Sequence, residues 1–417
     1  MAIDSTEDPG VPTSMKGRFW SLVGTHTMND FQVGASAALL PYFVTEQHYS
    51  YAAVAGLTLA ATSISSVAEP AFGFLSDRFP LRPLILIGML TAALGIAGAG
   101  LVSSNYALTW IAFAVSGIGV AAYHPSATVH AKETGGGTNR SMSTFSVGGN
   151  VGAAIAPILV GFTVGIFGLN ATPLLLIPAV TAAIVYLVFH RQRGVGAELG
   201  NHAKLAATDS HRPHDLWARF GWLLLVVCLW STTFIGTRSF LALYLAQRFH
   251  ADDTAGTIAL TIYTFAATFG TLTGGFFADR IGRRAVIVAG YFSATIMTGA
   301  IVMAPNYGVA VTFAAIAGFV LFLPFALHVT LAHAYLPRHL GTASGLALGL
   351  STTVGGLLSP ILGLIADASS IQTVFIILAI ITFLAFICSL FVRERAYAET
   401  HEDCDPPVDA RYDKTLD

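Results

Sequence analysis

Three ionisable side chains stand inside long apolar runs of this chain: Asp30, Glu69 and Arg238. An unpaired charge at the middle of a membrane costs about 2.5–3.5 kcal/mol on insertion scales, so such groups persist where they face a cavity or one another. A carboxyl taken out of water can hold its proton up to near-neutral pH and then release it, which makes Asp30 and Glu69 candidate proton carriers. A structural ion pair is the alternative role for both. Arg238 suits an anionic ligand group, or a bias of one carboxylate towards ionisation, or snorkelling to the interface. His26 lies one turn before Asp30 on the same helical face and joins the proton-coupling set. His124 precedes Pro125, whose missing N–H frees a carbonyl and bends a helix. His328 also falls in an apolar run, and lone helical histidines often serve only as satisfied core groups. The spacing of these residues makes no metal site, and no cofactor is expected. Among the aromatics, Trp20, Phe31, Trp230 and Phe234 are placed to line an apolar cavity.

These residues must be carried by membrane-spanning helices. Of 417 residues, 54% are hydrophobic and 11% charged, where soluble domains carry about 25% charged residues. The net charge of −2 and the absence of a basic stripe exclude a nucleic-acid partner. Forty-one glycines suit close helix packing in lipid. Cys228, Cys388 and Cys404 form no disulfide framework, and the first two lie in apolar runs as inert core residues. A span needs about 20 mostly apolar residues. Twelve such runs are expected near 18–44, 50–75, 82–103, 106–128, 141–167 and 171–190, then 220–247, 254–278, 284–304, 307–331, 341–366 and 371–392. The N-terminal stretch has no cleavable signal pattern, so the first helix is expected to direct insertion. Nineteen of the 21 lysines and arginines, all but Arg238 and Arg248, fall on one side of this topology. Cytoplasmic loops collect Lys and Arg, so both termini are expected in the cytoplasm of a multi-pass inner-membrane protein.

The chain repeats itself. Gly73-Phe-Leu-Ser-Asp77-Arg78 matches Gly275-Phe-Phe-Ala-Asp279-Arg280 at an offset of 202. Val151-Gly152 and Pro157 match Val354-Gly355 and Pro360 at 203, and Pro125 pairs loosely with Pro324 at 199. Three matches in one order argue for a duplicated six-helix unit. The expected organisation is a cytoplasmic tail (1–17), an N-terminal bundle (18–190), a linker (191–219), a C-terminal bundle (220–393) and an acidic tail (394–417). Halves related in this way bind substrate at their interface near mid-membrane.

The run Gly275 to Arg284, with Asp279, Arg280, Gly282 and Arg283, resembles the loop signature of the major facilitator superfamily. Gly73 to Arg82 resembles a degraded copy, with Phe79-Pro80 where a glycine is expected. Within that superfamily the chain resembles the fosmidomycin-resistance group of drug exporters. The likeness rests on His26, Asn29-Asp30, Pro41, Tyr123-His124-Pro125, Gly135-Gly136 and Ser146-Val-Gly-Gly149-Asn150-Val-Gly152. Two residues depart from that group: Ser126 stands where Glu is usual, and Glu69 where Gln is usual. The fifth run also resembles a degraded antiporter signature, keeping Gly152 and Pro157 but with Ala156 and Val160 in place of glycines.

The resemblance implies an all-α fold of about twelve transmembrane helices in two pseudo-symmetric six-helix bundles. It implies alternating access, with protons moving in and a small drug-like compound or metabolite moving out, in a monomer within the lipid bilayer. Asn29, His124, Asn150 and Arg238 are the expected cavity residues. Gly73, Asp77, Arg78, Gly275, Asp279, Arg280 and Arg283 are the expected latch, which in this family holds the outward-open state. A proton-coupled importer of a sugar or organic acid, or an uncoupled facilitator, would share these features. An enzyme is not expected, since no paired nucleophile and base and no phosphate-binding loop occurs.

Overall fold

The computed structural model describes residues 13–49, 51–79, 82–190, 214–250 and 253–394. Most of the expected tails and linker, and Cys404, lie outside the described residues. The N-terminal half comprises α1 (Thr13–Gln47), α2 (Tyr51–Arg78), α3 (Pro83–Leu101), α4 (Tyr106–Thr134), α5 (Asn139–Phe167), and a 3₁₀ turn (Leu169–Leu175) leading into α6 (Leu176–His190). The C-terminal half comprises α7 (Trp217–Phe249), α8 (Asp253–Ile281), α9 (Arg283–Met303), α10 (Tyr307–Phe322), α11 (Phe325–Tyr335), α12 (Leu340–Ala368) and α13 (Ile371–Ser389). No strand occurs among the described residues. α10 and α11 form one apolar traverse, Tyr307–Tyr335, interrupted before Pro324. Each half thus supplies six traverses, as the hydropathy pattern predicts.

Among the described residues, ten segments are long and apolar enough to cross a membrane. The two long helices outside that set, α1 and α2, carry Asp30 and Glu69 together with a high content of Ser, Thr and Gly. The lower hydropathy of α1 reflects polar residues that it buries, Asn29 and Gln32 among them. The outer surface is apolar, with residues such as Leu94, Ile184, Phe265 and Phe383 exposed, which suits a protein solvated by lipid.

Helix starts repeat between halves. The Asn105 side chain accepts from the Leu108 amide at 3.2 Å, and that of Asn306 from the Val309 amide at 3.0 Å. Each caps the fourth traverse of its half and offsets one of its orphan amides. Close helix crossings repeat as well. A β-carbon on Gly152 would collide with the Thr27 carbonyl, and one on Gly355 would lie 2.5 Å from the Ser231 carbonyl. A β-carbon on Gly117 would likewise strike the Ala61 carbonyl, as one on Gly318 would strike that of Tyr263. These pairs set the register of the fourth traverses at an offset of 201, not the 199 suggested by Pro125 and Pro324. The two prolines are therefore not counterparts: α4 runs unbroken through Pro125, whereas Pro324 separates α10 from α11. Between the halves, α2 packs along α12 and α5 along α8.

Candidate functional site

α1, α2 and α4 bring four of the predicted residues together. His124 lies between the two carboxylates, its Nε2 3.1 Å from Asp30 Oδ1 and its Nδ1 3.2 Å from Glu69 Oε1. His26 Nε2 approaches Asp30 Oδ2 at 3.4 Å across one helical turn. The other nitrogen of His26, Nδ1, is 2.7 Å from the Phe145 carbonyl. A carbonyl only accepts, so Nδ1 carries a proton and Nε2 is turned to Asp30. The ring also stacks on Phe145, with centroids 4.2 Å apart. Gly149 leaves room for this array: a β-carbon there would overlap Asp30 Oδ2 and lie 2.8 Å from His26 Nε2.

The ligating atoms of His26, Asp30 and His124 fall within 4.8 Å of one another, a grouping that spacing along separate helices does not reveal. The contacts that close it have hydrogen-bond and ion-pair lengths, and the second nitrogen of each histidine also meets an oxygen. Shared protons satisfy such an arrangement. In an interior of low dielectric, a bridging imidazole between two carboxylates makes the protonation of all three groups interdependent.

The cluster opens on a cavity of about 290 Å³ at the interface of the halves. His26, Asp30, Glu69, His124, Asn150 and Arg238 all line it. Asn150 Nδ2 is buried without a hydrogen-bond partner, a donor available to a ligand. Asn29 is not on the wall: it is fully buried, and its amide donates to Asp30 Oδ1 at 3.1 Å. The C-terminal half supplies an aromatic wall of Trp230, Phe234, Phe322 and Phe325, packed with centroids 4.7–5.5 Å apart. The Trp230 indole donates to the Leu321 carbonyl at 2.8 Å, so it offers the cavity only its ring. Of the other predicted aromatics, Phe31 is in the core of the N-terminal half and Trp20 is on the outer surface. His328 is bound by the Tyr291 hydroxyl at 2.8 Å and packs behind Trp230, away from the cluster. Cys228 and Cys388 are unpaired and partly buried.

The end of the molecule that carries the described termini is closed by two reciprocal clasps. Asp77, at the end of α2, accepts from the amides of Gly341 and Thr342 at 2.6 and 2.8 Å, and from the Thr342 hydroxyl at 2.5 Å. Asp279, at the end of α8, accepts from the amide and side chain of Asn139 at 3.1 and 2.9 Å, and from the Arg140 amide at 3.0 Å. Each carboxylate thus caps the first turn of a helix in the other half, where orphan amides and the helix dipole favour negative charge. Gly73 and Gly275 allow the approach, since a β-carbon on either would run into the facing helix start. Arg78 and Arg280 stack over Phe74 and Phe276 at 4.2 and 4.0 Å. Arg283 donates to the Thr330 carbonyl at 3.2 Å. Gly282 has φ +89°, in the region that favours glycine, and forms the turn between α8 and α9. The receiving residues Asn139, Gly341 and Thr342 escaped sequence reasoning, although each stands at the polar start of an apolar run. Gln32, Ser65 and Ser66 also line the cavity and were missed, because neutral polar residues in such helices give no sharp signal.

Comparison with known proteins agrees with this architecture. The model of the Major Facilitator Superfamily matches residues 22–249 and 223–403. The fosmidomycin resistance protein of Escherichia coli K12 is 26% identical over 377 residues, covering 90% of this chain and 92% of that protein. The uncharacterized MFS-type transporter YfnC of Bacillus subtilis 168 is 25% identical over 384 residues, covering 90% and 93%. Among solved structures, the transporter FucP in its outward conformation superposes with a TM-score of 0.73 at 16% identity, covering 92% of this chain and all of that one. This chain is a multi-pass membrane protein that belongs to the major facilitator superfamily.

Proposed function

We propose that this chain is a proton-coupled exporter of a small drug-like compound or metabolite, working by alternating access in the inner membrane with both termini in the cytoplasm. The observation that carries this reading is His124 bridging Asp30 and Glu69 on the wall of a cavity between the halves. Protons taken up by this cluster change the charge of the site that a substrate must share, which couples the two. The clasps at Asp77 and Asp279 act as the latch of the outward-open state, because they hold together the end through which a cytoplasmic substrate would enter. His26, Asp30, Glu69 and His124 carry protons, while Asn150, Arg238 and the aromatic wall receive the substrate. Asn29 positions Asp30. The name of the E. coli relative, a resistance protein, supports the outward direction. The chain acts as a monomer, since each bundle supplies one wall of a single cavity.

The test separates proton flux from substrate binding in proteoliposomes across a compound panel, with and without a pH gradient. Glu69→Gln should abolish pH-driven transport and keep substrate binding, whereas Asp30→Asn should harm both. Full proton-driven activity in Glu69→Gln would refute the coupling role. Accumulation rather than expulsion of substrate would reverse the direction.

A further inference from the structure

His26 and His124 present themselves to Asp30 in the same way. In each ring the far nitrogen is already engaged: His26 Nδ1 donates to the Phe145 carbonyl at 2.7 Å, and His124 Nδ1 lies 3.2 Å from Glu69 Oε1. With a proton on each Nδ1, both Nε2 atoms turn a lone pair towards one carboxylate. His26 Nε2 is 3.4 Å from Asp30 Oδ2, and His124 Nε2 is 3.1 Å from Oδ1. A lone pair repels a carboxylate oxygen at that range, so each of the two contacts needs a positive centre. Two protons meet the need. One divalent cation set among the three side chains meets it equally, and both fillings add the same charge.

We propose that His26, Asp30 and His124 form a binding site for one divalent transition-metal ion, of the class of Zn²⁺ or Co²⁺. Zinc holds nitrogen and oxygen ligands at about 2.0–2.2 Å, so neighbouring ligands of a tetrahedral ion stand about 3.3 Å apart. The two Nε2–Oδ separations lie on either side of that value. All three ligating groups fall within 4.8 Å of one another. The outer contacts are those that metal-bound histidines use: one ring N–H goes to a backbone carbonyl and the other to a carboxylate, which fixes the tautomer and aims Nε2. Phe145 stacks on His26, and the Asn29 amide donates to Asp30 Oδ1 at 3.1 Å, so ring and carboxylate are both held in place. Gly149 keeps the space above them open, since a β-carbon there would overlap Asp30 Oδ2 and lie 2.8 Å from His26 Nε2. Three protein ligands leave a fourth position, which opens on the cavity that all three line, and water completes the shell. Two imidazoles and one carboxylate favour Zn²⁺ or Co²⁺ over Mg²⁺ and Ca²⁺, which take oxygen ligands. The charge of the lining agrees, with Asp30 and Glu69 against one guanidinium, Arg238. The site goes beyond the coupling reading and stands without it: the ion is held whether or not the cluster drives transport.

Titration of the full-length chain with Co²⁺ and with Zn²⁺ tests this, on protein purified in detergent, freed of any affinity tag and stripped with a chelator. The expected result is saturation at one ion per chain, the visible absorption of four-coordinate Co²⁺, displacement of Co²⁺ by Zn²⁺, and no displacement by excess Mg²⁺ or Ca²⁺. His26→Gln, His124→Gln and Asp30→Asn should each weaken binding by more than about a hundredfold, and Glu69→Gln, which keeps all three ligands and frees His124 Nδ1, by about 10–100-fold. Zinc X-ray absorption of the wild type needs no variant, and should show two imidazoles with nitrogen at about 2.0–2.1 Å. Absence of saturable binding, a zinc spectrum with fewer than two imidazoles, or binding that survives all three ligand variants overturns the site.

Discussion

The two halves share their packing and differ in what they show the cavity. Gly152 against Thr27 and Gly355 against Ser231 place His26 opposite the position of Trp230, and Asp30 opposite that of Phe234. Gly117 against Ala61 and Gly318 against Tyr263 place His124 in the position of Phe325. The loop repeat places Glu69 in the position of Thr271. The four ionisable residues of the cluster thus have Trp, Phe, Phe and Thr as counterparts. The contacts that hold helices at close range recur in both halves, where glycine facing a carbonyl leaves little room for a side chain. The lining differs between the halves, an ionisable wall on one side and an aromatic one on the other. Among the described residues the ionisable cluster thus belongs to one half and has no copy at the equivalent positions of the other.

The largest effect should come from removing the bridge. His124→Leu leaves Asp30 and Glu69 as adjacent buried acceptors without their shared partner, a loss of about 3–5 kcal/mol for a broken buried pair. We expect no proton-driven transport and a lower melting temperature in detergent, while Phe325→Leu, the counterpart change, should spare proton flux. Equal loss of proton flux in both variants would break the contrast between the walls. Next, Gly152→Ala and Gly355→Ala should destabilise the two halves alike, by about 1–3 kcal/mol each, as overpacking does. Thermal unfolding of the two variants measures this, and a large difference between them would show that the shared packing is not equivalent. The smallest effect belongs to the clasps. Asp279→Asn removes a charge at a helix start worth about 0.3–1 kcal/mol, so it should slow turnover by a few-fold without loss of folded protein. Asp77→Asn/Asp279→Asn should slow it further. Unchanged turnover in the double variant would reduce these loops to topological signals.

The spans, the duplication and the intramembrane charges were legible because hydropathy, motif offsets and rare charges in apolar runs are written along one dimension. α1 illustrates the limit of hydropathy: its buried polar residues lower it, yet its place in the repeat still marks it as a traverse. The bridge could not be read, since Asp30, Glu69 and His124 come from three helices and only the fold decides that the imidazole lies between the carboxylates. The resemblance placed Asn29 in the cavity together with its neighbour Asp30, but adjacent helical residues point in different directions. The 199-residue pairing of prolines misled for a similar reason, because a proline marks a local backbone property and not a packing register. The Gly341, Gly345 and Gly349 stripe of α12 was visible in the sequence, but nothing there said that it meets α2.

The clasps also bear on how the chain is joined. Each carboxylate grips the helix start of the other half, so the halves hold each other through exchanged contacts as two subunits of a dimer would. Contacts of this kind can align two halves whether or not they are covalently joined, and a covalent join raises the concentration of one near the other. Two separately synthesised polypeptides, divided between the halves, are therefore expected to find this alignment again, which co-purification after co-expression would check.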